Sequence, residues 1–320
     1  MKRTPKIMYV RVSENCNSNC FMCHYRLKHD SYNLSEDKFA NLLEIMQKDD
    51  YKIIRFTGGE TLLHKNIFKF INDAKKIGLK TSIITNGFLL DLCAEKLVAN
   101  GLDQCIISLD GSSASIHDSL RNFEGCFDNI IKGIKKLKKL NPNIIIRVNT
   151  VVSGKNIHDL SNIYKLLVKL QVNEWSIIPI KYKENLWNDD SKRYYEEFQN
   201  LVKNSQKIKF LGDSKNFAGT KDEEINAVFN NNSRLKTLNE CYVVDYVRFY
   251  IPDKNILVPC NCVAHRLNEI PFTITNNLQD SCEEIRNWLK KNSSSCTGCE
   301  PLNIYINDHP EIMECDEINY

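Results

Sequence analysis

Between Glu14 and His24 the chain reads ENCNSNCFMCH, which puts Cys16, Cys20 and Cys23 within eight residues. A compact winding of the chain can aim thiols at positions i, i+4 and i+7 inward together. As thiolates they select iron–sulfur clusters or zinc. A four-iron cluster held by three cysteines leaves one iron open to an outside ligand, as a reactive metal site requires. A zinc ion would need a fourth ligand, either the adjacent His24 or a distant cysteine. Spacing favours iron–sulfur and leaves zinc open.

The remaining thiols and the composition narrow the setting. The chain has 320 residues and thirteen cysteines, an odd number gathered toward its two ends. Its start, MKRTPKIMYVRV, lacks the apolar core of a signal peptide, and no later segment approaches the ~18 apolar residues of a membrane span. A cytoplasmic location is expected, where disulfides are rare, so metal binding is the leading explanation for the thiols. Lys and Arg total 43 against 40 acidic residues. That balance gives no reason to expect nucleic acid or an anionic membrane as a partner. The basic run KGIKKLKKL (132–140) reads as a solvated helix face whose long stems cover apolar surface.

The elements that must carry the loop alternate regularly. KIMYVRV (6–12) reads as a strand leading into the cysteines. SEDKFANLLEIMQK (35–48) opens on a Ser N-cap and spaces Phe39, Leu42, Leu43 and Met46 as a helix does. YKIIRFTGGE is a strand ending in a Gly-Gly turn, and NIFKFINDAKKIG is a helix stopped by Gly78. KTSIITNG, QCIISLDG, NIIIRVNTVV and EWSIIPI are further strands, with DLCAEKLVAN, FDNIIKGIKKLKKL and NIHDLSNIYKLLVKL as helices. Six apolar strands interleaved with five helices predict a parallel sheet covered on both faces, with sites at the strand C-terminal ends. Two amphipathic helices are expected near 191–204 and 223–238, then a hairpin over VRFYIPDKNILVPC (247–260). Cys93, Cys105 and Cys126 lie in apolar patterns and read as core.

FTGGE (56–60) ends the second strand on the same sheet rim as the cysteine loop. Its glycines let a backbone come close to a ligand, and Glu60 can accept from an ammonium group. With CxxxCxxC after the first strand and GGE after the second, residues 6–180 strongly resemble the radical S-adenosylmethionine (SAM) superfamily. The resemblance implies a partial (β/α)6 TIM-like barrel. It implies that Cys16, Cys20 and Cys23 hold a 4Fe–4S cluster whose open iron chelates SAM. Gly58, Gly59 and Glu60 would then hold the methionine amino group. Thr85, Ser108 and Asn149 would line the ribose and methionine, and Arg147 would pair with the SAM carboxylate. Met22 stands where the family usually has an aromatic on the adenine, and a thioether can pack there. The stretch 116–134 also resembles the family, with His117 and Arg121 in place.

The last eighty residues, 241–320, read as a small cysteine-rich α+β domain beyond a helical segment, 181–240. Cys241, Cys260, Cys296 and Cys299 form a C-x18-C…C-x2-C set that resembles the SPASM and twitch auxiliary-cluster domains of this superfamily; a zinc ribbon is the plain alternative. The full SPASM pattern has two more cysteines after CxxC, whereas only Cys315 follows here. The resemblance therefore implies twitch, with a second, auxiliary 4Fe–4S cluster. Cys262 and Cys315 could each replace a ligand or be a buried spare thiol, Cys262 is also a candidate hydrogen-atom donor, and Cys282 is unassigned.

Relatives of this type transform small molecules such as sugars and aminocyclitols, or modify ribosomal peptides. Many peptide-modifying ones carry a leader-binding domain ahead of the cluster motif. Here Cys16 comes almost at once, which tilts the expectation toward a small-molecule substrate. An electron donor such as flavodoxin or ferredoxin is implied. An iron–sulfur protein that binds SAM without turnover is the contrasting reading.

Overall fold

The computed structural model describes residues 7–23, 32–180, 190–203, 207–210, 247–251 and 256–258, with single positions at 284, 287 and 288. These fall into two compact units, one holding residues up to Asn15, those from 32 to Ser82 and the two strands after 246, the other holding 16–23 and the chain from Ile83 to 210.

The first unit is built on β1 (Ile7–Ser13) and β2 (Ile53–Gly58), parallel and in register from Ile7 opposite Ile53 to Arg11 opposite Thr57. Between them runs α1 (Glu36–Lys48), where the Ser35 hydroxyl accepts from the Lys38 N–H as expected of an N-cap. Phe39, Leu42 and Met46 are buried, and the Phe39 ring stacks at 4.1 Å on Phe70 of α2 (Ile67–Lys76). Such aromatic pairs add ~1 kcal/mol to the burial of their area. On the far side of β1 lies a strand, β8 (Val247–Ile251), paired parallel to it from Ile7 opposite Val247. It pairs antiparallel with β9 (Ile256–Val258), so the two strands of the expected hairpin are present, and β8 is hydrogen-bonded to the first strand of the chain.

Strand β3 (Lys80–Thr85) starts in the first unit and ends in the second. The second unit continues through α3 (Leu90–Ala99), β4 (Gln104–Ser108), α4 (Ala114–Arg121), α5 (Cys126–Leu140), β5 (Ile145–Val152), α6 (Leu160–Lys169), β6 (Glu174–Pro179), α7 (Ser191–Lys203) and β7 (Lys209–Phe210). β4, β5, β6 and β7 pair in parallel in that order. One face of this sheet is covered by helices: Trp175 of β6 stacks on Tyr164 of α6 and meets Phe198 of α7 edge-on. The indole N–H donates to Thr150 Oγ1, whose hydroxyl donates to the Leu109 carbonyl, so the buried polar atoms are paired.

Six parallel strands, β1 to β6, thus alternate with helices in an open, partial TIM-like α/β fold. One helix departs from the sequence expectation. α4 is an eight-residue piece whose N-cap Ser113 makes no side-chain cap, and it ends at Asn122 in the left-handed region. The expected helix at 191–204 is α7. The one at 223–238 lies outside the described residues, as do Cys241, Cys260, Cys262, Cys282, Cys296, Cys299 and Cys315.

Candidate functional site

The Gly-Gly turn sits against the backbone that leads into the cysteine loop. Gly59 N–H donates to the Ser13 carbonyl and Glu60 N–H to the Asn15 carbonyl, both at 2.8 Å. Gly58 has φ +143°, and a methyl on Gly59 would overlap the Asn15 carbonyl oxygen and lie 2.6 Å from that of Glu14. The sequence suggests that the glycines admit a ligand. What they visibly admit is the chain's own backbone, one residue before Cys16. Glu60 is buried, and its Oε1 accepts from Leu62 N–H at 2.9 Å, capping a single 3-10 turn. The end of β1 is held from its other side as well: Leu34 N–H donates to the Val12 carbonyl at 2.8 Å, and Ser13 bridges Asn33.

Within the second unit the cysteine loop is tied down by side chains from the strand ends and α4. Cys20 is buried, while Cys16 is exposed and Cys23 is half-buried, and none of the three is in a disulfide. Ser18 Oγ lies 3.0 Å from Cys20 Sγ and donates to the Arg121 carbonyl at 3.1 Å. Arg121 turns its Nη1 to the same sulfur at 3.7 Å, and its Nε forms an ion pair at 2.6 Å with the fully buried Asp110. Burial penalises the Arg121 charge, but Asp110 and the Cys20 sulfur outweigh it and raise its pKa. Asn86 donates to Asn17 Oδ1 at 2.7 Å and points the same amide at Cys16 Sγ, 4.0 Å away. Lys155 stands over the Phe21 ring at 5.0 Å. His117 is fully buried, with Nδ1 accepting from Asp110 N–H at 3.1 Å. Burial, reinforced by the Arg121 charge, lowers its pKa to about 3, so the ring is neutral.

The opposite face of β4–β6 from α6 and α7 carries polar side chains in two rows. Ser108, Asn149 and Ser176 are register partners across three strands, and Ile106, Arg147 and Glu174 form the next row. Arg147 Nε donates to Asn149 Oδ1 at 3.0 Å, and Gln104 donates to Glu174 at 2.8 Å. Three of the expected site residues, Ser108, Arg147 and Asn149, therefore stand together. Thr85 is buried, and its hydroxyl accepts from Gly87 N–H in the turn after β3.

These surroundings fit a thiolate-bound cluster. A hydroxyl and a guanidinium turned on one sulfur, with an amide near another, are the partners that ligating thiolates take around a metal. Among the described residues no three Cys, His, Asp or Glu side chains gather tightly enough for a single ion. A multi-iron cluster spaces its sulfurs more widely than one ion does. Two contributors escape the sequence reading. Ser18 looks like a spacer in CNSNC. Asn86 reads only as part of a TNG turn, although an Asn at a strand end beside such a loop is the available signal. Cys105 and Cys126 are buried as expected, Cys126 donating to the Asn86 carbonyl at 3.4 Å, whereas Cys93 is only half-buried.

Comparison with known proteins gives the same picture. The family profile described as "Radical SAM superfamily" matches residues 10–167. The chain is 29% identical over 177 residues to an AdoMet-dependent heme synthase of Nitratidesulfovibrio vulgaris, covering 54% of this chain and 48% of that protein. It is 32% identical over 189 residues to a probable GTP 3',8-cyclase of Methanocaldococcus jannaschii, covering 56% and 61% respectively. The chain thus spans about half to three fifths of the length of these relatives. In fold it is similar to Streptococcus suis SuiB bound to S-adenosylmethionine, with a TM-score of 0.66 at 14% identity over 98% of this chain and 71% of SuiB. SuiB is also known bound to a precursor peptide, SuiA, and that structure gives a TM-score of 0.67 at 14% identity, covering 90% of this chain and 67% of SuiB. Through residues 10–167, which hold the cysteine loop, the Gly-Gly-Glu turn and five of the six parallel strands, this chain belongs to the radical SAM superfamily.

Proposed function

We propose that the protein is a radical SAM enzyme. The observation that carries this reading is the loop of three cysteines outside any disulfide, in which Ser18 and Arg121 hold Cys20. Cys16, Cys20 and Cys23 would hold the 4Fe–4S cluster. Bound there, it would supply the electron for reductive cleavage of SAM, the source of the radical that would take a hydrogen atom from the substrate. Glu60, with the backbone of Gly58 and Gly59, would accept the methionine ammonium. Arg147 would face the carboxylate, while Thr85, Ser108 and Asn149 would order the ribose and methionine and Met22 would pack on adenine. Their task is orientation and exclusion of water, because the cofactors carry the bond-breaking chemistry.

The same reading assigns residues 1–180 to the core, 181–240 to a cap and 241–320 to an auxiliary domain. That domain would hold a second 4Fe–4S cluster on Cys241, Cys260, Cys296 and Cys299, with Cys262 as hydrogen donor and a flavodoxin or ferredoxin as reductant. For substrate we favour a polar small molecule of sugar or aminocyclitol type, because Ser176 and Glu174 add hydrogen-bonding groups beside the residues assigned to SAM. A ribosomal peptide is the second reading, suggested by the likeness in fold to SuiB.

The test is anaerobic reconstitution of the full chain, followed by reduction with dithionite in the presence of SAM. The expected result is 5′-deoxyadenosine, lost in C16S, C20S and C23S. About eight irons per chain support two four-iron clusters. About four refute the auxiliary one. Reduced, iron-loaded protein that leaves SAM intact refutes the enzyme.

A further inference from the structure

Cys20 has a cation and a hydroxyl brought to its sulfur by a dedicated framework. We propose that Arg121, aimed by Asp110, is a positioning residue that anchors Cys20 and raises the reduction potential of the cluster it would hold. This inference rests on the cluster assignment above.

The framework is specific. Asp110 is fully buried two residues after β4, and it is held at four points. Its Oδ2 meets Arg121 Nε, its Oδ1 accepts from Val151 N–H at 2.8 Å, its N–H donates to His117, and its carbonyl accepts from Asn156 at 2.9 Å. The carboxylate therefore cannot swing away, and it fixes the edge that the guanidinium turns to the loop. Arg121 is the last residue of α4, so its carbonyl is one that no further turn of helix would claim. Ser18 Oγ lies 3.1 Å from that carbonyl and 3.0 Å from Cys20 Sγ, so its single proton is shared between the carbonyl and a ligating thiolate. Backbone and side chain of one arginine thus reach the same ligand by two routes, one direct and one through Ser18.

The expected direction follows from charge. Reduction adds negative charge to a cluster and its thiolates. A nearby cation and hydrogen-bond donors favour the more negative state, so they raise the potential. Removing them lowers it.

The experiment is an EPR-monitored redox titration of the reconstituted full chain without SAM, with iron and sulfide measured on every sample. The signal belonging to this cluster is the one missing in C20S. R121M is expected to shift its midpoint negative by about tenfold in the reduction equilibrium, ~59 mV for a one-electron couple. R121K is expected to recover part of that shift, and S18A to move the midpoint less but in the same direction. Should R121M fail to fold, R121K and S18A carry the test, since both retain the ion-pair framework. Loaded variants that titrate with the wild type overturn the proposal, as does lower iron occupancy with an unmoved midpoint, which marks a purely structural arginine. Wild-type protein that takes up no iron refutes the cluster assignment instead.

Discussion

Gly59→Ala isolates the contact between the Gly-Gly turn and the start of the cysteine loop. The added methyl would meet the Asn15 carbonyl oxygen, with Glu14 O at 2.6 Å and Asn15 C at 2.7 Å, all backbone atoms with no rotamer to change. If the strands stay in place, the overlap costs ~1–3 kcal/mol, as other overpacked sites do. If they move apart, the hydrogen bonds Gly59 N–H to Ser13 and Glu60 N–H to Asn15 lengthen, each worth ~1 kcal/mol. Both routes put the loss at about 2 kcal/mol, and partial relief by both stays near that value. Gly78→Ala is the comparison. Gly78 has φ +85° and nothing within 4 Å of an added methyl, so its cost is conformational alone, ~1 kcal/mol. Urea unfolding followed by circular dichroism measures both. Equal losses in the two variants, or Gly59→Ala within ~0.5 kcal/mol of wild type, would refute the steric reasoning. Because Asn15 directly precedes Cys16, Gly59→Ala should also lower the iron taken up per chain, while Gly78→Ala should not.

Two further predictions concern buried polar groups. His117 has a folded pKa of about 3, below its unfolded value near 6.5, so the unfolded chain binds the extra proton between those values. Stability from this residue is complete above pH ~6.5 and falls as the pH drops toward 3; urea midpoints at pH 7.5 and 5 should differ more in wild type than in H117Q. Thr150→Val keeps the shape but strands the Trp175 N–H and a Leu109 carbonyl bond, at ~1–3 kcal/mol. Thr150→Ser, which keeps the hydroxyl, should cost less, and a thermal melt that ranks them the other way would show that the methyl matters more.

Much of this arrangement is legible from local pattern, and the parts that are not have identifiable causes. β-branched runs between amphipathic stretches disclose the six strands, although β4 to β6 are apolar only on the helix-covered face and carry Ser108, Arg147, Asn149, Glu174 and Ser176 on the other. Ser35 discloses the start of α1 because its cap is local, satisfied three residues away. α4 is hidden, since ASIHDSLR is short, polar and uncapped, and its helicity depends on burying His117 and Leu120. The pairing of β8 with β1 joins residues some 240 positions apart and leaves no periodic signature in either. The Gly-Gly pair is visible as a turn, yet its partner is not, because close approach names no neighbour. Arg121 could be located by family likeness, but its hold on Cys20 depends on where a left-handed Asn122 ends the helix.

The anchoring of β1's end has a consequence for assembly. Hydrogen bonds from Leu34 on one side and from Gly59 and Glu60 on the other fasten residues 12 to 15 without any help from a metal. The polypeptide is then already a scaffold when iron arrives, unlike small zinc domains that fold only on loading. On the proposed cluster assignment, chelation should empty the thiols and leave the sheet standing, so that a cluster destroyed by oxygen could be rebuilt in place without a new round of folding.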